Sequence, residues 1–269
     1  MKTLNTRSDD GTNIRFGRWN EDGDKDLLIV HGLAEHLGRY QHVGEFFAAQ
    51  GWRVTAIELR GHGESEGKRG HIDMWIRYRE DLQSVMACVG RPMAILAHSM
   101  GGLVTLYSMQ APLTPEVRCV ALSNPLLGLF HKPPTLKVKA GRLLSKILPS
   151  FSMPNELNVE HISRSADIVE AYKNDPLVFK TITARWGAEM LRTLDEVNEA
   201  APKLTQPLLM NIGTGDQICS PDAGQDFAGR YGGDCTLKVY EKLYHELLNE
   251  PERNEVMQDI HNWLSPYFP

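Results

Sequence analysis

Met93-Ala94-Ile95-Leu96-Ala97-His98-Ser99-Met100-Gly101-Gly102-Leu103-Val104-Thr105-Leu106 is the stretch on which the reading of this chain turns. Residues 93–98 are a short, nearly unbroken apolar run, as expected of a strand covered on both faces. From Met100 to Ala111 the pattern is helical. Ser99 therefore stands where strand passes directly into helix. Such a turn strains the backbone and exposes the hydroxyl. It also needs small residues two before and two after the serine, here Ala97 and Gly101, because the two backbones nearly touch. A plain helix-capping serine is the competing reading.

Outward from this point the same alternation repeats. Strands are expected at 14–19, 27–31, 53–58, 93–98, 117–123, 207–212 and 236–240. Helices are expected near 39–50, 73–89, 100–111, 223–231 and 252–264. Alternation of this kind implies an α/β chain with a mostly parallel sheet flanked by helices. Asp10-Gly11 marks the turn of an opening hairpin. From Leu126 to about Ala201 no convincing strand occurs, and Pro133-Pro134, Pro149 and Pro154 punctuate helical stretches. The expected organisation is a core of residues 1–125 and 202–269, with residues 126–201 inserted as a helical cap.

A reactive serine between a central strand and its helix is the nucleophile elbow of the α/β-hydrolase fold. That fold places an acid after a later strand and a base after the last one. Asp216 follows the apolar run 208–212 through Gly213-Thr214-Gly215. Asp222 competes, but after Pro221 it suits the first turn of a helix better. His245 follows the strand at 236–240, whereas His261 lies on the final helical pattern. The order Ser99, Asp216, His245 is the one expected. The backbone amides of Leu33, after the strand at 27–31, and of Met100 are then the expected oxyanion donors. A strict G-x-S-x-G match occurs elsewhere, at Gly63-Glu64-Ser65-Glu66-Gly67, and is rejected. No apolar strand enters it, and its two glutamates would oppose both deprotonation of the hydroxyl and a developing oxyanion. Epoxide and haloalkane chemistry would need an aspartate at the elbow.

Bulk properties exclude other classes. The chain has 269 residues, 42% apolar, with a formal charge of −5, which argues against nucleic acid. Cys88, Cys119, Cys219 and Cys235 show no zinc spacing and read as reduced thiols. His31 and His36 match no metal motif, and the chemistry requires neither metal nor organic cofactor. Residues 1–12 are polar, without a secretory h-region, and no run of 18 apolar residues exists. A cytoplasmic protein is expected.

Several motifs in order resemble one family. His31-Gly32-Leu33-Ala34-Glu35-His36-Leu37-Gly38-Arg39-Tyr40 is similar to the H-G-x-G-E-H-x-G-R-Y segment of monoacylglycerol lipases and related bacterial lysophospholipases. Arg60-Gly61-His62-Gly63-Glu64-Ser65-Glu66-Gly67 resembles their G-H-G-x-S-x-G loop. The elbow, Gly213-Thr214-Gly215-Asp216, Tyr244-His245-Glu246-Leu247, Asn174-Asp175-Pro176-Leu177 and Ala201-Pro202-Lys203-Leu204 match as well, so the resemblance spans nearly the whole chain. Ala34 and Ala97 each stand where the family has glycine. The resemblance implies hydrolysis of a fatty acyl ester of a glycerol-like head, in monoacylglycerols or lysophospholipids. It also implies that Glu35 and Arg39 shape the polar end of the substrate pocket. An i,i+4 ion pair that merely braces the loop is the equal alternative. An esterase, thioesterase or peptidase acting on small soluble substrates is the runner-up function. A binding protein on the same scaffold would be expected to lack a triad member, and none is missing.

Two stripes mark the insertion. Leu136, Ala140, Leu143, Leu144, Ile147 and Leu148 recur at helical spacing, with Lys137, Lys139, Arg142 and Lys146 off the stripe. Such a helix either touches a lipid surface peripherally, which would place the protein at the inner membrane face, or packs its stripe over the site. Ile182, Trp186, Met190, Leu194 and Val197 form the second stripe, either the wall of an apolar tunnel or ordinary core. Its helix is expected to be capped by Asp175, with Pro176 at the first position.

Overall fold

In the computed structural model, which describes residues 1–269, the alternating runs assemble one eight-stranded sheet. β1 (Lys2–Arg7) and β2 (Asn13–Trp19) form the opening hairpin. β3 (Lys25–Val30), α1 (Gln41–Ala49), β4 (Trp52–Ile57), α2 (Ile76–Val89), β5 (Met93–His98), α3 (Met100–Ser108) and β6 (Val117–Ser123) follow. The chain then leaves the sheet for α4 (Thr135–Ile147), β7 (Ser152–Pro154), α5 (Ala166–Asn174), β8 (Thr181–Thr183) and α6 (Ala184–Ala200). It returns with β9 (Leu208–Gly213), α7 (Pro221–Arg230), β10 (Cys235–Tyr240) and α8 (Arg253–Leu264).

The strand order is β1-β2-β4-β3-β5-β6-β9-β10, and every pair from β4 to β10 is parallel. Only the β1–β2 and β2–β4 pairs are antiparallel. This is the α/β-hydrolase fold. Apolar runs without alternation make sense here, because both faces are covered. In β5, Met93, Ile95 and Ala97 join the core under α2, α3 and α6, while Ala94 and Leu96 join the core under α1 and α8.

The structure departs from the expected elements in three places. β1 is a strand of polar, mostly exposed residues at the sheet edge, so no apolar run announces it. The insertion contains two three-residue strands, β7 and β8, paired only with each other. The helix bearing the second stripe starts at Ala184, not at Pro176. Thr183 caps it, accepting from the Trp186 N–H at 3.3 Å. Asp175 instead follows α5, accepts from the Leu177 N–H at 2.8 Å, and takes a hydrogen bond from His36 Nε2 at 2.7 Å. No helix is long and apolar enough to cross a membrane.

Candidate active site

The carboxyl ends of the parallel strands carry every candidate group, as expected where ligands bind open α/β sheets. The chain turns at Ser99 with φ 51° and ψ −120°, a left-handed conformation that costs a non-glycine residue of order 1–3 kcal/mol. Packing fixes this strain. The Ser99 N–H donates to the Ser123 carbonyl at 3.1 Å, and the Gly102 and Leu126 amides donate back to the Ser99 carbonyl. At Gly101 a β-carbon would press into the Val30 and His31 carbonyls, so β3 approaches the start of α3 too closely for any side chain.

Three residues distant in sequence meet here. His245 Nε2 lies 2.9 Å from Ser99 Oγ, and His245 Nδ1 lies 2.7 Å from Asp216 Oδ2. A carboxylate only accepts, so Nδ1 carries the proton and Nε2 is left to accept from the serine hydroxyl. Asp216 Oδ1 takes the Ile218 and Cys219 amides at 2.8 and 3.0 Å, which fixes the carboxylate plane. Burial opposes a charge on His245, but Asp216 outweighs it by charge and hydrogen bond, with Glu246 and Glu35 adding. The imidazole pKa is raised. His98 stacks against His245 with ring centroids 4.7 Å apart. Burial, aided by that neighbour, pushes its pKa down to about 4, so it stays neutral.

Asn124, which the sequence does not single out, ties this group together. Its Nδ2 donates to the Tyr244 and His245 carbonyls at 2.9 and 2.8 Å, and its Oδ1 accepts the Gly213 N–H at 2.8 Å. One side chain at the end of β6 thus joins the exit of β9 to the loop bearing His245. The insertion grips the same loop. The His245 and Glu246 amides donate to the His161 and Ile162 carbonyls at 3.4 and 2.7 Å, and Ser163 Oγ donates to the Asn249 carbonyl.

Leu33 and Met100 flank the Ser99 hydroxyl in one cavity. The Leu33 amide has no hydrogen-bond partner in the protein. Met100 opens α3, where the first amides lack helical acceptors. Next to Leu33, Ala34 holds a left-handed φ of 63°. Glu35 Oε1 accepts from Arg39 Nε at 3.1 Å, so the i,i+4 pair forms. The pair also reaches further, since Arg39 Nη2 lies 2.5 Å from Glu246 Oε2. Burial works against a charge on Glu35, yet the Arg39 charge and the Gly32 amide outweigh it and hold its pKa below the usual carboxylate value.

Ser99 and Leu33 line two cavities. One has about 370 Å³ and is walled chiefly by apolar residues, among them Met100, Leu126, Val138, Trp186 and Leu191. The other has about 30 Å³ and is bounded by Glu35, Tyr172, His245 and Glu246 together with Leu157, Ile162 and Ile218. The sequence reading missed Tyr172 and Glu246 as wall residues. The expected apolar stripe of α4 mostly faces solvent, with Leu136 at 78% and Ile147 at 66% exposure. The channel-facing side of α4 is instead Lys137, Val138, Gly141 and Arg142.

The remaining singled-out residues have structural partners. Ser65 Oγ accepts from the Arg15 N–H at 2.8 Å and donates to the Glu58 carbonyl at 2.6 Å. Its loop wraps Glu58 so tightly that a β-carbon at Gly63, φ +51°, would overlap that carboxylate. His31 Nδ1 donates to the Gly32 carbonyl and Nε2 accepts the Leu59 N–H. His261 Nδ1 accepts from Trp52 Nε1 at 3.1 Å. Asp222 sits in the first turn of α7. Cys219 Sγ lies 4.0 Å from Ser99 Oγ, and with Asp216 and His245 it groups three metal-ligating types within 4.8 Å. An ion there would have to break the His245–Asp216 hydrogen bond. Burial and the Asp216 charge hold the thiol well above its usual pKa, so it offers no ready thiolate.

The chain has relatives among known proteins. Residues 22–252 match the family model described as serine aminopeptidase, S33. The chain is 33% identical over 267 residues to a monoacylglycerol lipase of Mycolicibacterium smegmatis, covering 94% of this chain and 93% of that one. It is 30% identical over 248 residues to phospholipase YtpA of Bacillus subtilis, covering 90% and 95%. Among solved structures, a monoacylglycerol lipase of Paleococcus ferrophilus superposes with a TM-score of 0.88 at 28% identity, over 94% of this chain and 99% of that one.

Proposed function

Because the chain belongs to the serine aminopeptidase, S33 family, whose relatives here are lipases, we propose that it cleaves the acyl ester of monoacylglycerols or lysophospholipids through Ser99, His245 and Asp216. It is a carboxylic ester hydrolase, the class of those lipase relatives. One observation supports the finer reading: Ser99 lines both a large, mostly apolar channel and a small recess that also carries the carboxylates of Glu35 and Glu246. A channel of about 370 Å³ lies within the range of small-molecule sites and suits an acyl chain, while the recess suits a short hydroxylated head group.

The mechanism follows from the geometry. His245 takes the Ser99 proton as Oγ attacks the ester carbonyl, and Asp216 holds the tautomer and stabilises the imidazolium. The Leu33 and Met100 amides receive the oxyanion, each donor worth about 3–4 kcal/mol, and the amino end of α3 adds its dipole. His245 then returns the proton to the departing alcohol, and water repeats the sequence on the acyl-enzyme. Glu35 walls the recess, and Arg39 braces it from behind.

Residues 126–201 serve as the cap of this site, since α4 and α6 supply much of the channel wall. The outward face of α4, with Leu136, Leu143 and Ile147 beside Lys139 and Lys146, supports peripheral contact with an anionic lipid surface.

The test is a substrate screen with a fluorophosphonate label as control. Monoacylglycerols or lysophosphatidylcholines, and nitrophenyl esters of graded chain length, should be cleaved in a Ser99-dependent manner, with medium and long chains preferred. Labelling at Ser99 combined with cleavage of acetate esters or aminoacyl anilides alone would move the protein to the small esterases or peptidases.

A further inference from the structure

Two buried carboxylates border the recess beside Ser99, and they are unequally used. Glu35 accepts from the Gly32 N–H at 2.7 Å, the Tyr40 hydroxyl at 2.8 Å and Arg39 Nε at 3.1 Å. Glu246 places Oε2 against Arg39 Nη2 at 2.5 Å and Asn249 Nδ2 at 2.8 Å. Its other oxygen, Oε1, receives no hydrogen bond, although the residue is only 3% exposed and lines the recess. Arg39 is already shared between the two carboxylates, and its guanidinium lies over the Tyr172 ring at 4.6 Å. No lysine or arginine borders the recess.

We propose that Glu246 reads the charge of the leaving alcohol, admitting a neutral hydroxylated head group and rejecting an anionic one. The proposal rests on the reading that the recess takes the alcohol and the channel takes the acyl chain, and within that reading it favours monoacylglycerols over lysophospholipids, whose head group carries a phosphate. A neutral head group can donate a hydroxyl proton to the free Oε1. A phosphate or carboxylate in the same place would meet two carboxylates and no available cation, in surroundings where charges are weakly screened. A recess of about 30 Å³ has room for roughly two waters or one small polar group, too little for a hydrated counterion to enter with the anion.

The selectivity should itself titrate. Burial is the main cause that raises Glu246 to about 7, with the Glu35 charge adding, while Arg39 and Asn249 oppose it. The groups facing it are Glu35, Arg39 and Tyr40 from the segment after β3, Tyr172 from α5, and His245 beside it. Glu35 stays ionised, Arg39 stays charged, and both tyrosines are pushed up and stay neutral. Near neutrality only Glu246 and His245 change charge. His245 acts equally on every ester, so its titration cancels in a ratio of two substrates.

The experiment compares kcat/KM for 2-hydroxyethyl butyrate and carboxymethyl butyrate, alike in acyl group and near in size. The second bears a carboxylate that is ionised throughout the range. In the unmodified protein the neutral-to-anionic ratio should climb about tenfold or more between about pH 6 and pH 8, and Glu246→Gln should lower and flatten it. A flat ratio in the unmodified protein, or an unchanged slope in the variant, overturns the charge reading alone. The pH series on the unmodified protein decides the matter even where the variant fails to fold. Failure to hydrolyse either ester at any pH overturns the ester-hydrolase reading and the proposal with it.

Discussion

At Ser99 a single backbone conformation separates two serines that sequence motifs alone confuse. Ser99 sits at φ 51° with its hydroxyl against an imidazole, whereas Ser65 spends its hydroxyl on a backbone amide and a carbonyl. Ser99→Ala should lower kcat by about 10⁶. Ser65→Ala should leave kcat nearly unchanged while lowering stability by about 1–3 kcal/mol, because buried backbone groups lose their partner. Equal kinetic losses in the two variants would reverse the assignment. His245 adds a pH signature. Its folded-state pKa lies above the ordinary histidine value, so the protonated form is favoured in the folded protein. That contribution to stability is present below about pH 6.5 and is lost as pH rises through the raised value. The base role proposed for His245 needs the neutral imidazole, so activity should move in the opposite direction. The acid limb of kcat/KM should therefore fall above about pH 6.5, and a limb well below 6 would contradict the environment described for this ring. The sequence displays these groups because each stands just past a strand end. Asn124 and Tyr172 escape it, since their partners lie far away in the chain and no local pattern marks them.

Among elements, the strands were legible wherever both faces are covered, because burial on two sides writes an unbroken apolar run. β1 lacked that signal at the open edge. α4 shows the limit of periodicity: its stripe was correctly grouped onto one helix, but periodicity does not say which way a stripe points. Packing turned the opposite side inward, with Ser145 buried and Val138 and Gly141 on the channel. The stripe is left in solvent beside Lys139 and Lys146, which gives a test at this scale. The protein should co-sediment with anionic vesicles at low salt, and Leu143→Ser with Ile147→Ser should weaken that binding by about tenfold or more. Binding that survives both changes would exclude this helix as the contact. α6 illustrates a different miss. Asp175-Pro176 has the look of a helix start, yet Asp175 is drawn to His36 across the core boundary, and the helix waits for Thr183.

Over the whole molecule, buried charge holds distant segments together. Arg60 donates to Asp81 at 2.6 and 2.8 Å, to Asp10 at 2.6 Å and to Ser8 at 3.1 Å. It thereby ties the turn of the opening hairpin to α2 and to the loop after β4. Burial raises the Asp81 pKa even with Arg60 beside it. Arg60→Ala would leave that carboxyl buried without its partner and should cost about 3–5 kcal/mol, read by denaturant unfolding. A loss below about 1 kcal/mol would mean that the network contributes little. The general architecture was legible because alternating strands and helices admit few topologies, whereas this network was not, since its members come from three separate segments.

The amides of His245 and Glu246 rest on carbonyls from residues 161 and 162, so the imidazole proposed as general base leans on a segment that also borders the recess at Ile162. An engineer who transplants a foreign roof to import a new chain-length preference would also be replacing half the bearing under the general base. Such chimeras should slow on every ester alike, unless the short stretch from His161 to Arg164 is carried over unchanged.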